Sequence, residues 1–145
     1  MVGRRYPGPS LTVDAAWVSA GSVLLIRRRH PPFEGRWALP GGFVEPKETV
    51  EEAVIRELKE ETGLKPTSFE LLGVYSKVGR DPRGPTVTVA FWMRGKPKQP
   101  TGGSDAAEAR WIPLSEAHGL AFDHDEIVAD AERAARRGPG RRQRR

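Results

Sequence analysis

A single α/β layered domain is predicted for this 145-residue chain by three observations. Two β-prone segments near the N-terminus flank a tight turn, a strongly periodic helical segment follows, and further strand segments then precede a second helix. Strands interleaved with helices in this order bury both faces of one sheet. The length suits one domain of ordinary size. A composition of 37% hydrophobic and 30% charged residues places the chain in the soluble globular class.

Taken in order, residues 11–18 (Leu-Thr-Val-Asp-Ala-Ala-Trp-Val) read as a strand and 22–28 (Ser-Val-Leu-Leu-Ile-Arg-Arg) as its neighbour. Ala20-Gly21 between them suits a hairpin turn. Pro31, Pro32, Gly35, Pro40, Gly41 and Gly42 then break regular structure across a loop. The periodicity predicts a helix over 46–62, with Pro46 in its first turn and Gly63 just past its end. Strand signals return at 70–76 and 86–93, joined by the turn Asp81-Pro82-Arg83-Gly84-Pro85, and in a short segment at 109–112. Ile127, Val128 and Ala131 mark one face of a second helix over 123–135. No internal repeat is found.

Composition excludes several function classes. The absence of cysteine removes disulfides, thiol nucleophiles and thiolate metal sites. His30, His118 and His124 are too scattered to make a helical metal pair. The longest apolar run, 15–26, is too short for a membrane helix and contains Ser19, Gly21 and Ser22. Arg4-Arg5 lead into Tyr6-Pro7-Gly8-Pro9-Ser10 rather than an apolar segment, so no secretion signal is expected and the cytoplasm is the default compartment. The formal charge is +5, but six of the 24 basic residues fall in the last ten positions, leaving 18 against 19 acidic residues before them. The basicity is therefore a tail. Residues 137–145 read as a solvated, disordered end and 1–9 as an arm, with the domain proper at 10–136.

The first helix breaks the usual patterning rule. With Glu57 at zero and about 100° per residue, Val50 lies near 20°, Ala53 near −40°, Val54 near 60° and Leu58 near 100°. Glu61 (about 40°) and Glu60 (about −60°) fall on or beside that apolar stripe, together with Glu57 itself. An amphipathic helix keeps carboxylates off its inner face. Three inward like charges cost several kcal/mol unless they are protonated or neutralised by a cation. An all-oxygen set suits Mg²⁺ or Mn²⁺ rather than zinc. The plainer alternative is an acidic helix paired on its surface with Arg56 and Lys59.

The surrounding residues decide between these. Gly42, Glu48, Arg56-Glu57-Leu58, Glu60-Glu61 and Gly63-Leu64 fall at spacings that resemble the signature of the Nudix hydrolase family, over 42–64. Trp37-Ala38-Leu39-Pro40-Gly41 resembles the family's approach to it. The resemblance implies a Nudix-type α/β/α sandwich with a mixed central sheet. It also implies metal ligands at Glu57, Glu60, Glu61 and the Gly41 carbonyl, with Arg56 orienting the carboxylates. Glu48 is expected to be structural, since a continuous helix would put it about 180° from Glu57. The implied reaction is attack of water at phosphorus in a nucleoside diphosphate linked to a further group, which needs charge stabilisation and positioning more than covalent catalysis.

Beyond that box, Val74-Tyr75-Ser76, Arg80-Asp81-Pro82-Arg83-Gly84, 86–89, 105–111 and 120–124 look like the short ADP-ribose pyrophosphatase branch. Pro85 departs from it, standing where a histidine is expected. The resemblance implies hydrolysis of ADP-ribose to AMP and ribose 5-phosphate. Another nucleotide (an oxidised triphosphate, NADH or a nucleotide sugar) is the rival substrate. The mobile-looking loop 102–108 offers Glu108, then Asp105, as general base. Arg28, Arg36, Asp81 and Arg83 are candidate substrate contacts, while Trp37, Phe33 and His124 read as packing residues. A non-catalytic ADP-ribose sensor would carry a DNA-binding module after this domain, and the chain stops about ten residues past the last helix. RNA end processing through the arginine tail is a third reading. A small nucleotide is the expected partner, with neither nucleic acid nor membrane. Homodimers are common in the family, and oligomeric state stays open.

Overall fold

Strand β1 (Ser10–Ser19) is the axis of the molecule, buried without interruption from Thr12 to Trp17. Such a run belongs to a strand covered on both faces. Residues 8–103 and 106–139 are described by the computed structural model; Asp105, positions 1–7 of the arm and the tail from 140 lie outside them. Around β1 lie β2 (Ser22–Arg28), β3 (Trp37–Ala38), β4 (Gly41–Phe43), β5 (Ser68–Tyr75), β6 (Thr86–Arg94) and β7 (Ala106–Pro113). They form one mixed sheet of order β3-β2-β1-β6-β5, with β4 paired to β1 and β7 to β2. β1 and β6 run parallel from Ser10 beside Thr86 to Trp17 beside Met93, while the other ladders are antiparallel.

Helices α1 (Val50–Thr62) and α2 (His124–Arg137) cover opposite faces. The two-residue alternation of β1 distributes its side chains between them. Val13, Ala15 and Trp17 pack with Ala53, Val54 and Leu58 of α1. Ala16 packs with Ile127, Val128 and Ala131 of α2. The β1–β2 turn places Ala20 at φ 51° and Gly21 at φ 79°. Two successive left-handed residues are what a type I′ hairpin requires.

Most expected bounds shift by one or two residues, and three differences are larger. The helix expected over 46–62 begins only at Val50, because Thr49 caps it: its hydroxyl accepts from Glu52 N–H while Glu52 accepts from Thr49 N–H. This reciprocal capping box leaves Pro46 outside the helix. The C-terminal boundary stands, with Gly63 left-handed at φ 74°. The segment expected at 109–112 extends to Ala106–Pro113, since β7 pairs along the whole of β2. The loop of prolines and glycines also contains β3 and β4, because β2 and β1 each offer it a free ladder.

Candidate active site

A cavity of about 370 Å³ opens where β4 passes between α1 and the N-terminal half of β1. Glycine makes this passage possible. A Cβ on Gly42 would stand 2.5 Å from Glu57 Oε2, and one on Gly41 would stand 2.2 Å from Asp14 Oδ1. The two glycines thus separate the carboxylates of α1 from a second polar wall formed by β1, β6 and the start of α2.

On the α1 side, Glu57 and Glu61 line the cavity. Glu61 is only 6% exposed and accepts the Gly41 N–H at 2.9 Å. Arg56 organises the rest. Its Nε and Nη2 grip both oxygens of Glu48 (2.9 and 2.5 Å), Nη2 also donates to the Phe43 carbonyl, and Nη1 donates to Glu57 (2.9 Å) and Glu60 (3.3 Å). The fork holds Glu48 at a pKa of about 2, with the Glu45 N–H helping, and Glu48 in turn raises that of Arg56. Glu48 lies before the Thr49 cap, so it does not sit on the far side of the helix. It clamps Arg56 instead.

Glu57 and Glu61 present hard oxygen donors on one cavity wall beside the Gly41 backbone, a donor chemistry that fits a hard divalent cation such as Mg²⁺ or Mn²⁺ rather than zinc. Glu60 stands further out, its side chain 45% exposed. Among the described residues no group of three histidine, aspartate or glutamate side chains converges on one point. Both structural readings of the acidic helix therefore meet here: Arg56 pairs with its carboxylates, and two of them still face the cavity.

Arg28 and the Asp81–Arg83 pair also line the cavity, whereas Arg36, Glu60 and Glu108 do not. Arg28 Nε donates to the Pro32 carbonyl and its guanidinium lies 5.0 Å from the Phe122 ring. Asp81 holds Arg83 through both oxygens, and Arg83 stacks at 5.2 Å on Phe43 and 5.6 Å on Phe122. Burial alone would lift the Asp81 pKa, but Arg83 brings it below the ordinary value. Arg36 stacks on Phe33. Glu108 pairs with Arg27 and Arg110, both of which lie against Trp37.

Of the second wall, Asp14 and Thr12 carry no site expectation from the sequence, while Arg80, Thr88 and His124 fall in the branch-like segments. Asp14, Thr12, Thr88, Arg80 and His124 line it. Arg80, with a side chain 4% exposed, makes a two-point contact with Asp123 (2.8 and 2.7 Å) and donates to Thr88 Oγ1 at 2.6 Å. Burial opposes the charges of both partners, yet their pairing raises the pKa of Arg80 and lowers that of Asp123. His124 accepts the Leu39 N–H on Nδ1 and faces Asp14 Oδ2 with Nε2 at 3.1 Å. A ring that accepts on Nδ1 donates from Nε2 as the neutral tautomer. His124 is thus the packing residue expected, though its partner is a buried carboxylate. One signal was available: Asp14 interrupts an otherwise apolar strand.

The NUDIX domain model matches residues 9–131. The ADP-ribose pyrophosphatase of Methanocaldococcus jannaschii is 48% identical over 127 residues, spanning 88% of this chain and 75% of that protein. The ADPR responsive transcriptional repressor NtrR of Acinetobacter baylyi is 36% identical over 87% of this chain, which spans only 54% of the repressor. Among solved structures, the NUDIX domain of Shewanella oneidensis NrtR complexed with ADP ribose superposes with a TM-score of 0.82 at 32% identity, covering 88% of this chain and 89% of that one. A domain match over most of the chain and relatives above 30% identity agree with the superposed fold, and this chain belongs to the Nudix family.

Proposed function

We propose that this chain is a Nudix pyrophosphohydrolase that cleaves ADP-ribose with water to AMP and ribose 5-phosphate. The observation that carries this reading is the placement of Glu57 and buried Glu61 on one cavity wall beside Gly41, in a chain 48% identical to an ADP-ribose pyrophosphatase. Glu57, Glu61 and the Gly41 carbonyl would hold Mg²⁺, with Mn²⁺ as the alternative and Glu60 as an outer ligand. The bound cation supplies charge neutralisation at the diphosphate and a more acidic water. Arg56 holds Glu57 and Glu60 in place, itself fixed by Glu48. Arg28 and Arg83, with Arg29 and Arg80, are the arginines on the cavity wall, and the first two are the candidates to meet the phosphates. Glu108 and Asp105 stand as candidates for the general base.

The preferred partner is a small nucleotide in the cytoplasm. Among the described residues no helix is long and apolar enough to cross a membrane. An ADP-ribose sensor is the second reading, favoured by the repressor relatives. Incubation with ADP-ribose and Mg²⁺, with chromatography of the products beside a Glu61→Gln control, separates the two. AMP from the wild type alone is expected. Tight binding of ADP-ribose with no turnover would replace the enzyme by the sensor.

A further inference from the structure

We infer that the wall formed by Asp14 and Arg80 is a sugar-reading site, which recognises the vicinal hydroxyls of a pentose carried on the diphosphate. This rests on the hydrolase reading above and names the part of the substrate that the second wall takes.

Asp14 is the first reason. Its side chain is nine-tenths buried and lines the cavity. Oδ2 is engaged by His124, while Oδ1 carries no hydrogen bond among the described residues and looks past Gly41, where a Cβ would strike it. A carboxylate oxygen open to a cavity is satisfied by whatever donor enters it. Arg80 is the second reason. Three of its five N–H groups are taken by Asp123 and Thr88, which immobilise the guanidinium against the same cavity and leave two donors.

Charge then selects the ligand. Asp81 is paired with Arg83 and Asp123 with Arg80; Asp14 meets the His124 imidazole through Oδ2, and its charge also favours the Arg80 cation beside it. A phosphate against Asp14 would be repelled, and an apolar group would leave its oxygen unsatisfied. A hydroxyl donates to Asp14, and a neighbouring hydroxyl accepts from Arg80. Adjacent acceptor and donor of this kind match a vicinal diol.

A nucleoside diphosphate pentose offers two such diols, on the nucleoside ribose and on the terminal ribose. The test compares kcat/KM for ADP-ribose and for its two deoxy forms, each lacking the 2-hydroxyl of one ribose, with the wild type and Asp14→Asn. One deoxy form is expected to lose about 10- to 100-fold with the wild type, the worth of a hydrogen bond to a charged group. Asp14→Asn should lose a similar factor on ADP-ribose and nothing further on that same deoxy form. Which form responds identifies the ribose. Equal turnover of all three by the wild type overturns the inference, as does an Asp14→Asn loss that is uniform across them.

The wild-type arm needs no variant, so it decides even where Asp14→Asn fails to fold. Binding of the three compounds to metal-free protein by calorimetry gives a readout independent of catalysis, and the same deoxy form should bind more weakly. Hydrolysis of some other nucleotide in place of ADP-ribose would fail the earlier reading instead. The sugar site would then stand or fall on that nucleotide and its deoxy form by the same ratio.

Discussion

The two walls of the cavity differ in how the chain makes them. The α1 wall comes from one stretch, Gly41 to Glu61, in which a glycine pair, a capped helix and a guanidinium hub arrange the carboxylates. The opposite wall gathers Asp14 from β1, Arg80 from the β5–β6 connection, Thr88 from β6, and Asp123 and His124 from the start of α2. Its charges are held by partners far away in sequence. Near-neighbour geometry builds the first wall, and the topology of the sheet builds the second. The first can therefore lose function while keeping its fold, whereas the second risks both together.

Glu61→Gln gives the largest separation. The amide retains an oxygen for the Gly41 N–H, so the melting temperature should stay within a few degrees of wild type. Loss of a charge proposed to hold the cation should lower kcat/KM on the order of 10³-fold, equivalent to a few kcal/mol of stabilisation lost from the transition state. A comparable fall in stability would show that the α1 wall is structural after all.

Asp123→Asn should do the reverse. It strands the Arg80 guanidinium, whose side chain is 4% exposed, without its counter-charge. Removing one partner of a buried pair costs about 3–5 kcal/mol, and the lower end applies because Asp123 keeps some solvent contact. Urea unfolding should show this as a shifted midpoint with an unchanged slope. An unchanged midpoint would mean that Arg80 is held by Thr88 and the cavity alone. Asp123 is the N-cap of α2 but makes no side-chain cap bond, its carboxylate being taken by Arg80, so the loss is not that of a helix cap.

The same contrast explains what could be read in advance. The inward glutamates, the Gly63 stop and the hairpin turn each follow from residues within a few positions of one another. The helix start is equally local: the Thr49–Glu52 box sets it at Val50, and Pro46, although suited to a first turn, lies ahead of that cap. The Arg80–Asp123 and Asp14–His124 contacts were not legible in that way. Each depends on β1 pairing in parallel with β6 and on α2 returning across that face, and no spacing encodes those steps. The assignment of Glu48 was right in kind and wrong in cause, because its role depends on where the Arg56 fork reaches rather than on a helical angle.

Arg56→Lys tests that fork at smaller scale. Lysine keeps the charge but cannot grip Glu48 at two points while touching Glu57 and Glu60. A fall in kcat/KM of about 10- to 100-fold is expected, the usual effect of losing a residue that orients ligands. Restoration of activity by high cation concentration would place the defect in ligand positioning.

The smallest effect is a pH dependence. Glu48 titrates at about 2 in the folded chain against an ordinary 4.5, because Arg56 and the Glu45 N–H both favour its charged form. A carboxylate whose folded pKa is depressed contributes stability that is fully present above its unfolded value and lost as pH falls towards its folded one. The wild type should therefore exceed Glu48→Gln by a constant margin above about pH 5, and the margin should shrink between about 4.5 and 2. Urea midpoints measured across that range check it. A margin that ignores pH would mean that glutamine supports the Arg56 fork as well when charged and uncharged forms are compared, and the clamp would then work by shape. A margin that closes with acid shows that the α1 wall is held by charge, and that the hub stays fully ionised wherever the hydrolase works near neutrality.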